Sequence, residues 1–245
     1  MAKKAGFPQQ FYVGGRDISG DVGSIGSRSS PRPVLDVTGI NQSGYHRVLG
    51  LGDAQLDFNS WFNDATGQEH LAFKGLPTAD ILVLWALGGA AADVAALIVG
   101  KQINYDPTRG QDGSLAIAIQ VLANAIALEW GDLLTAGKVT HASATSSASV
   151  DNAALSSNGA AAMMQMVSLA TGTCTVTIED SADNAVWATI ITFAAVAAAA
   201  APTAERLTVA STVRRYLRVT TTGVFTTAVI IVAVRRGTAQ DVVAY

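Results

Sequence analysis

Three histidines are the side chains of this chain best suited to bind a metal or to act as a general base near neutral pH. His46 stands between Tyr45 and Arg47, His70 opens a short apolar stretch, and His141 begins a segment rich in serine, threonine and alanine. No pair of them has the spacing of a metal motif, and no Asp or Glu stands where such a motif needs one. The sequence therefore predicts no metal site and no histidine-led active site.

Four other patterns could indicate catalysis or nucleotide binding, and each lacks a required part. Gly50-Leu51-Gly52 lacks the later glycine and the strand–helix context of a dinucleotide loop, so it predicts a tight hairpin. Gly100-Lys101 has no upstream glycine, and Ser143–Ser149 contains no nucleophile elbow. Asp53 and Asp57 have an even spacing that favours a polar, solvated or inter-subunit strand face over an acid–base pair. We therefore predict that the protein is not an enzyme and holds no cofactor.

An arginine cluster near the end of the chain is the remaining candidate for binding chemistry. Arg214 and Arg218 are predicted to project from one strand face with Tyr216 between them, and Arg235-Arg236 end the last long strand. A basic face with an aromatic ring can hold a phosphate or a sugar. The alternative, which we favour, is that these arginines protect a sheet face or pair with nearby acids, namely Glu179, Asp180 and Asp183.

Composition favours a subunit of an assembly. Charged residues make up 14% of the 245 residues and hydrophobic ones 49%, and the mean hydropathy is +0.31. A soluble domain usually carries about a quarter charged residues. The shortfall leaves weakly polar surface that suits burial against other subunits, although alanine also inflates the hydrophobic count. At this length the chain holds one large β domain or two of ordinary size.

The charge distribution and the single cysteine exclude further classes. The net charge of −3 lies in residues 1–150, with 10 basic and 13 acidic side chains, while residues 151–245 carry six of each. This balance predicts no nucleic-acid-binding surface, and a ring of such chains would repel phosphates and let DNA pass. Cys174 stands alone, so neither an intrachain disulfide nor a multi-thiolate zinc site is predicted.

Neither a signal peptide nor a membrane span is predicted. Met1-Ala2-Lys3-Lys4 has no apolar run after it. Ile81–Val99 is apolar but is broken by Gly88-Gly89 and contains Asp93, which would be costly in hydrocarbon. Ala185–Ala201 is largely alanine and begins like a strand.

Period-2 alternation predicts short strands through the first half of the chain. In Leu115–Val121 the odd positions are large and the even ones small or polar, so one face should pack. Residues 104–113 are rich in turn formers and are predicted to connect antiparallel strands Ala96–Tyr105 and Ser114–Gln120. Phe11–Ile18 is predicted to be a hairpin that turns on its glycine pair.

Three further elements complete the first half. Leu56, Phe58 and Ser60 alternate with polar residues and are predicted to face a core. Gln68–Leu76, closed by Gly75 and Pro77, is predicted to be the one short helix. Ile81–Leu87 reads as a fully buried strand.

The second half begins with a change of composition. His141–Gly159 lacks aromatic residues and predicts a linker or a long surface loop. After it, short strands with turns at roughly 10-residue spacing indicate a sandwich. These elements are the alternation at Cys174–Glu179, a turn at Ser181–Asn184, strands Trp187–Phe193, Leu207–Val209 and Val213–Val219, a turn at Thr220–Gly223, and strand Phe225–Val234. We predict domains at 1–140 and 159–245 joined by a Ser/Ala-rich linker at 141–158.

Three motifs between residues 8 and 140 carry a resemblance to a known family. They are Val34–Ile40 followed by a Gly/Arg-rich loop, the strand ending in Trp61-Phe62-Asn63-Asp64, and the segment Lys101–Arg109. As a set they resemble the major tail protein of long, non-contractile-tailed bacteriophages (siphophages), especially those of actinobacteria. The part after residue 159 is similar to β-sandwich modules appended to phage tail proteins. The resemblance implies a tail-tube-type β-sandwich or barrel with one short helix, followed by a second β-sandwich.

The resemblance also implies a function and partners. Subunits of this family form rings, usually hexameric, by joining sheets edge to edge, and the rings stack into the tail tube. The tube surrounds a tape-measure protein, meets tail terminator and baseplate proteins, and conducts genomic DNA without sequence-specific binding. The protein would be assembled in the host cytoplasm and lie in the virion tail, with the second domain outside the tube. Our candidate stacking loop is Ser27–Gly52, with Arg28, Arg32, Tyr45, His46 and Arg47.

Two alternatives stay open at this point. The chain could be a carbohydrate-binding or decoration module of a phage particle that contacts host surface glycans through Trp187, Tyr216 and the arginines of its C-terminal part. It could also be the tube protein of a contractile injection system, because the sheath of such a system is encoded elsewhere.

Overall fold

The computed structural model describes residues 8–238 and shows a mainly β protein. Its described part has one short helix, α1 (Glu69–Phe73), and a 3₁₀ turn at Ala198–Ala200. The earlier strands are β1 (Gln10–Val13), β2 (Arg16–Asp17), β3 (Val22–Ser29), β4 (Val34–Asp36), β5 (Arg47–Leu49), β6 (Gln55–Trp61), β7 (Ile81–Ala86), β8 (Val94–Gln102), β9 (Asp106–Arg109), β10 (Leu115–Ala123) and β11 (Glu129–Leu133). The later ones are β12 (Val139–His141), β13 (Thr145–Ser146), β14 (Val150–Asp151), β15 (Ala160–Ser181), β16 (Ala188–Thr192), β17 (Val196–Ala197), β18 (Thr203–Val209) and β19 (Tyr216–Arg236). The predicted fold class is confirmed.

The first half of the chain is a curled antiparallel sheet with the strand order β3–β6–β10–β8–β7–β1–β2. The rings of Phe11 on β1 and Phe58 on β6 lie 4.8 Å apart between their centroids, so strands distant in the sheet face each other across one core. Phe73 of α1 is fully buried beside Phe58, with ring centroids 5.5 Å apart. The helix therefore closes the core on one side.

Several predictions for this half are confirmed. Leu56, Phe58 and Ser60 are buried on β6 while their neighbours are more exposed, and β7 is buried along most of its length. The predicted helix exists but is shorter than Gln68–Leu76. The hairpin at Phe11–Ile18 also forms, as β1 pairs with β2.

Gly15 in that hairpin turn is required by a close approach of two backbones. Its φ is +82°, and a Cβ there would lie 2.3 Å from the backbone nitrogen of Thr203 on β18. The backbone N–H of Gly15 donates to Oε1 of Gln165 at 2.6 Å, and Nε2 of Gln165 donates to the Leu82 carbonyl at 3.1 Å. Gln165 is fully buried, so its amide satisfies backbone groups of the curled sheet from the first part of the long strand β15.

Two connections in the first half differ from expectation. The segment 104–113 contains a strand, because β9 pairs with the start of β10. Consequently β8 reaches β10 only at its end, from Gln102 to Gly100. Gly50-Leu51-Gly52 was expected to form a tight hairpin, but β5 pairs with β4 and not with β6. The hairpin prediction is therefore wrong, because the partner of β5 precedes it in the chain.

Two very long strands dominate the second half. β15 has 22 residues and β19 has 21, whereas a mean strand has about 5–6. They pair antiparallel from Ala160 opposite Arg236 to Ser181 opposite Tyr216. β18, β17 and β16 border the free edge of β15 in turn. β11, β12, β13 and β14 border the free edge of β19.

This two-stranded ribbon is bent in its middle. A β-bulge interrupts the register between Met166 and Ser168, and Gly172 and Gly223 have φ values of +80° and +108°. A Cβ on either glycine would lie within 2.4 Å of a carbonyl on the opposite strand. Bulges and interior glycines are the usual means of bending a strand. The turn predicted at Thr220–Gly223 is therefore wrong, because β19 bends at Gly223 and continues.

The predicted linker at 141–158 is also different in the structure. It contains β13 and β14, which are hydrogen-bonded to β19. Beyond them, Ser156 and Val213 exchange two backbone hydrogen bonds of 2.8 and 2.7 Å, and Oγ of Ser156 donates to the Gly237 carbonyl. This segment therefore ties together the chain just before β19 and the chain just after it.

A shared core joins the two halves, whose division at 1–140 and 159–245 stays a prediction. One hydrophobic cluster lies within the curled sheet and another within the bent ribbon. A third cluster combines side chains from both: Tyr12, Leu84, Ala86, Ala95, Leu97, Leu133, Met163, Ile231 and Ala233. The start of β15 is consequently buried on both faces.

A buried ion cluster lies at the same junction. Glu129 on β11 accepts two hydrogen bonds from Arg206 on β18, at 2.7 and 2.8 Å, and one from Arg235 on β19 at 3.1 Å. The three side chains are at most 9% exposed. One carboxylate therefore holds two guanidinium groups out of water.

Removing this carboxylate should destabilise the fold. In Glu129→Gln two buried guanidinium groups lose the charge of the carboxylate that they share, so we expect the free energy of unfolding to fall by about 3–5 kcal/mol in chemical denaturation. Asp151→Asn is the control, because Asp151 and Arg215 form an ion pair of 2.6 Å with both side chains nearly half exposed. Solvent screens such pairs, so its effect should be far smaller. Equal losses in the two variants would contradict this account.

Candidate assembly surface

A projecting hairpin is the most unusual surface feature of the protein. β4 and β5 form a two-stranded sheet separate from the main one. We call residues Ser30–Asp53, which contain it, the arm. Local hydrogen bonds order its tip, since Val37 N donates to the His46 carbonyl at 2.9 Å and His46 N donates to Oγ1 of Thr38 at 2.7 Å. Thr38 in turn donates to Asp36 from its backbone and its hydroxyl, which lowers the pKa of that carboxyl.

The arm has a regular hairpin but almost no buried surface. Within Ser30–Asp53 only Thr38 and Gly50 are even partly buried. Eight large apolar side chains are exposed: Val34, Leu35, Val37, Ile40, Tyr45, Val48, Leu49 and Leu51. An isolated two-stranded hairpin is marginally stable in water, and a contiguous exposed apolar patch marks a protein–protein surface.

Both faces of the hairpin are apolar. Val34 pairs with Leu49, and Leu35 pairs with Val48. Directly opposed residues share a face, and successive residues alternate between faces. One pair therefore lies on each side of the hairpin, and a partner that covers only one side would leave the other pair in water.

The stacking-loop residues have mixed surroundings. The Arg28 guanidinium lies 4.6 Å from the ring centroid of Trp85 and so contacts the body of the protein. The Arg47 guanidinium lies 4.7 Å from the ring centroid of Tyr45. Arg32 and His46 are exposed. The arm therefore offers cations and aromatic rings around its apolar centre.

Unpaired sheet edges lie in the same half of the chain. β3 pairs with β6 on one side and with no strand of residues 8–238 on the other. β9 pairs only with β10 among the described strands, and all four of its residues are exposed. Unpaired strand edges are templates for pairing with another chain. Pro107 within β9 limits such pairing to part of its edge.

The sequence-predicted chemical candidates do not converge. His46 is exposed in the arm, His70 contacts the Tyr105 hydroxyl at 2.7 Å, and His141 contacts Oγ1 of Thr221 at 2.9 Å. Burial lowers the pKa of His141. No group of three or more His, Cys, Asp or Glu side chains within residues 8–238 could hold a metal ion. Over the same range, none of the helical structure has the length and apolar character of a membrane span.

The lysine and aspartates of the other sequence patterns interact with neighbouring side chains or are exposed to solvent. Lys101 forms an ion pair with Asp80 at 2.8 Å. Asp57 accepts a hydrogen bond from Gln55 at 2.6 Å, whereas Asp53 is exposed at the base of the arm. The two aspartates therefore have different surroundings.

Arg214 and Arg218 pair with nearby acids, which is the alternative that we favoured over binding of a phosphate or a sugar. Nε of Arg214 donates to Asp180 at 2.7 Å, and Nε of Arg218 donates to Glu179 at 2.7 Å. The Arg218 guanidinium also lies 4.1 Å from the ring centroid of Trp187. Two of the predicted acids therefore neutralise these arginines, and one face of the predicted sugar-contacting Trp187 is already covered.

A buried carboxyl that sequence reasoning missed lies at the start of α1. Glu69 is fully buried, and its two oxygens have no hydrogen-bond partner among the described residues. Burial raises the pKa of Glu69 to about 7, and the charge of Asp21 adds to this rise, while Ser60 and Tyr105 oppose it. Asp21 accepts a hydrogen bond from the Glu69 backbone at 3.1 Å. No sequence signal indicated this, since an acid in the first turn of a helix is normally exposed.

Comparison with known proteins gives only distant likenesses. No family model matches the chain, and no curated protein matches its sequence. Among solved structures it is similar to the SPP1 Dit (gp 19.1) protein, a hub adsorption apparatus protein of phages infecting Gram-positive bacteria. The TM-score is 0.35 and the identity 10%, over 94% of this chain and 100% of that one. Chains of the phage P2 baseplate in its activated conformation, with Ca and with Sr, give TM-scores of 0.33 and 0.32 at 8% identity, over 94% of this chain and 99% of theirs. Likenesses this low carry no argument about function.

The Glu69 carboxyl should make stability depend on pH. Its pKa is raised from 4.5 to about 7 on folding, so between these values the folded protein keeps a proton that the unfolded chain releases. The contribution of Glu69 to stability is therefore fully present below about pH 4.5, is lost as the pH rises to 7, and changes no further above that. In Glu69→Gln this decline should be largely absent in urea unfolding between pH 4.5 and 8. Asp64→Asn, an exposed acid near the helix, should keep the wild-type slope, and a wild-type slope in Glu69→Gln would refute the assignment.

The arm should be dispensable for folding of the single chain. We expect that replacing Val34–Leu49 by a short Gly/Ser linker shifts Tm by less than about 2 °C, because the arm buries no large apolar side chain against the body. Thermal unfolding followed by circular dichroism in dilute solution measures this. Loss of cooperative unfolding would show that the arm is part of the folding core.

Proposed function

We propose that this protein is a structural protein of a phage virion whose copies assemble through the arm into stacked rings of a tail tube. The observation that carries the proposal is an ordered hairpin that exposes apolar pairs on both faces and buries almost nothing within its own chain. A hairpin of this kind needs a protein partner on each side.

The motifs of the tail-tube resemblance coincide with surfaces that lack partners. Val34–Ile40 consists of β4 and the start of the arm's tip. Lys101–Arg109 contains β9, the exposed edge strand. Trp61 and Phe62, from the third motif, are 52% and 39% exposed. Lys101 and Tyr105 have partners within the chain, whereas the exposed side chains of the three motifs fit contacts made between copies.

A second copy of the chain is the partner that these features favour. Open edges at β3 and β9 allow the curled sheets of neighbouring copies to join, and closure into a ring leaves no edge exposed. An arm with two apolar faces fits between two subunits of an adjacent ring. Each arm Val or Leu that is fully buried there would contribute about 1.5–3 kcal/mol before the cost of ordering and association.

The charge of the chain suits a conduit. The net charge is −3, and Arg206, Arg214, Arg218 and Arg235 are paired with acids. Because acidic side chains outnumber basic ones, a lumen formed by such subunits would let DNA phosphates pass without strong binding. On this proposal the tube is hexameric, encloses the tape-measure protein during assembly and meets terminator and baseplate proteins at its ends.

Assembly should depend on the arm and not on exposed apolar residues in general. We expect the purified wild-type protein to form rings or hollow tubes in negative-stain electron microscopy. The double variant Leu35→Ser/Val48→Ser should remain dispersed, because it removes the apolar pair from one face of the arm. Its circular dichroism should match the wild type, since both side chains are half exposed.

The matched control is Val186→Ser, which removes an apolar side chain that is 67% exposed outside the arm. This variant should assemble like the wild type. A wild-type protein that stays monomeric at high concentration would refute assembly through the arm, as would full assembly of the double variant.

A further inference from the structure

A cleft of about 400 Å³ lies where the curled sheet meets the bent ribbon. Its walls come from β11, the turn between β7 and β8, β14 with the residue after it, and the end of β19. Its volume lies in the range of small-molecule sites, which occur preferentially where two structural units meet. The site is distinct from the arm and from the surface around Trp187.

β11 contributes an aromatic ring and a carboxylate to this cleft. Trp130 and Asp132 are two residues apart on one strand and therefore share a face. Trp130 is 43% exposed, and its ring packs 6.4 Å from that of Trp85 between centroids, which fixes its position. The Asp132 carboxylate forms no hydrogen bond or ion pair with any residue in the described range. Burial raises its pKa, and the nearby Arg236 charge opposes this rise.

Arg236 at the end of β19 supplies a fixed positive charge. Its Nη2 donates to the Ala154 carbonyl at 2.6 Å and to the Val213 carbonyl at 3.3 Å, so the guanidinium is held by backbone. Its Nε is buried and has no hydrogen-bond partner among the described residues. Because this atom is enclosed, Arg236 contributes its positive charge to the cleft and no hydrogen bond from Nε to a ligand.

The negative and positive side chains around the cleft are equal in number, which favours an uncharged ligand. Asp132 lies near Arg236, and Asp151 is paired with Arg215 at 2.6 Å. A free phosphate would meet the Asp132 charge, and a metal cation would meet the guanidinium. Asn152 also lines the cleft, and its Nδ2 donates to the Arg215 carbonyl at 3.0 Å.

We propose that this cleft binds one neutral sugar residue of a glycan. The flat Trp130 ring packs against the apolar face of a pyranose, as aromatic rings with one wet edge do. Asp132 accepts hydrogen bonds from adjacent sugar hydroxyls at the wall of the cleft. No bond is made or broken, so the site is a binding site and not a catalytic one.

Saturation-transfer NMR on the full-length protein tests the proposal. The probes are the methyl glycosides of glucose, galactose, N-acetylglucosamine and rhamnose at millimolar concentration. We expect at least one to bind and to titrate to saturation. Asp132→Asn and Trp130→Ala should each weaken that binding about tenfold or more, because each removes a direct contact. Asp132→Asn keeps the side-chain shape, so it remains informative if Trp130→Ala unfolds.

Trp187→Ala is the matched control, since it removes a partly exposed tryptophan from the other candidate surface, and it should leave binding unchanged. Three outcomes would overturn the proposal. They are the absence of binding by all four glycosides, unchanged binding in Asp132→Asn, and binding that is lost in Trp187→Ala.

Discussion

The antiparallel pairing of β15 with β19 is the constraint on which the rest of the structure depends. The two strands pair from Ala160 opposite Arg236 to Ser181 opposite Tyr216, and one bulge interrupts the pairing. Every later strand borders one of these two, and β11 connects β19 to the curled sheet of the first half. Because successive residues of a strand face opposite sides, this strand pair is a wall of two hydrophobic clusters, with Met163 and Ile231 on one face and Met164 and Val232 on the other.

Two buried carboxylates show how differently the fold treats charge. Glu129 joins three strands through two arginines, so its charge is compensated at the junction of the two halves. Glu69 is equally buried but has no such cation, and its raised pKa is the consequence. In the protein interior, where the dielectric constant is low, a carboxyl group either pairs with a positive charge or keeps its proton. One site therefore binds structural elements together, while the other makes α1 sensitive to proton concentration.

The contrast between interior and arm explains why we place the function of the protein in contacts between copies. In the body, the buried side chain of Gln165 satisfies the backbone groups of Gly15 and Leu82. The arm, in contrast, has ordered backbone bonds but leaves Leu35, Val48 and their neighbours in water. The exposed apolar side chains of this hairpin contribute to stability only when another protein surface covers them.

Local patterns in the sequence determined the class of fold, most strand positions, the hairpin at Gly14-Gly15, the helix and the buried face of β6, because alternation and turn chemistry act between neighbouring residues. They also determined that Arg214 and Arg218 would meet nearby acids. The tertiary structure alone decided that Gly223 bends a strand instead of reversing it, that the predicted linker pairs with β19, and that Glu69 is buried. It also brought Trp130, Asp132 and Arg236 around one cleft. These features depend on contacts between residues up to about a hundred positions apart. The sequence around a glycine or an acid is the same whichever distant residue packs against it, so local patterns cannot predict such contacts.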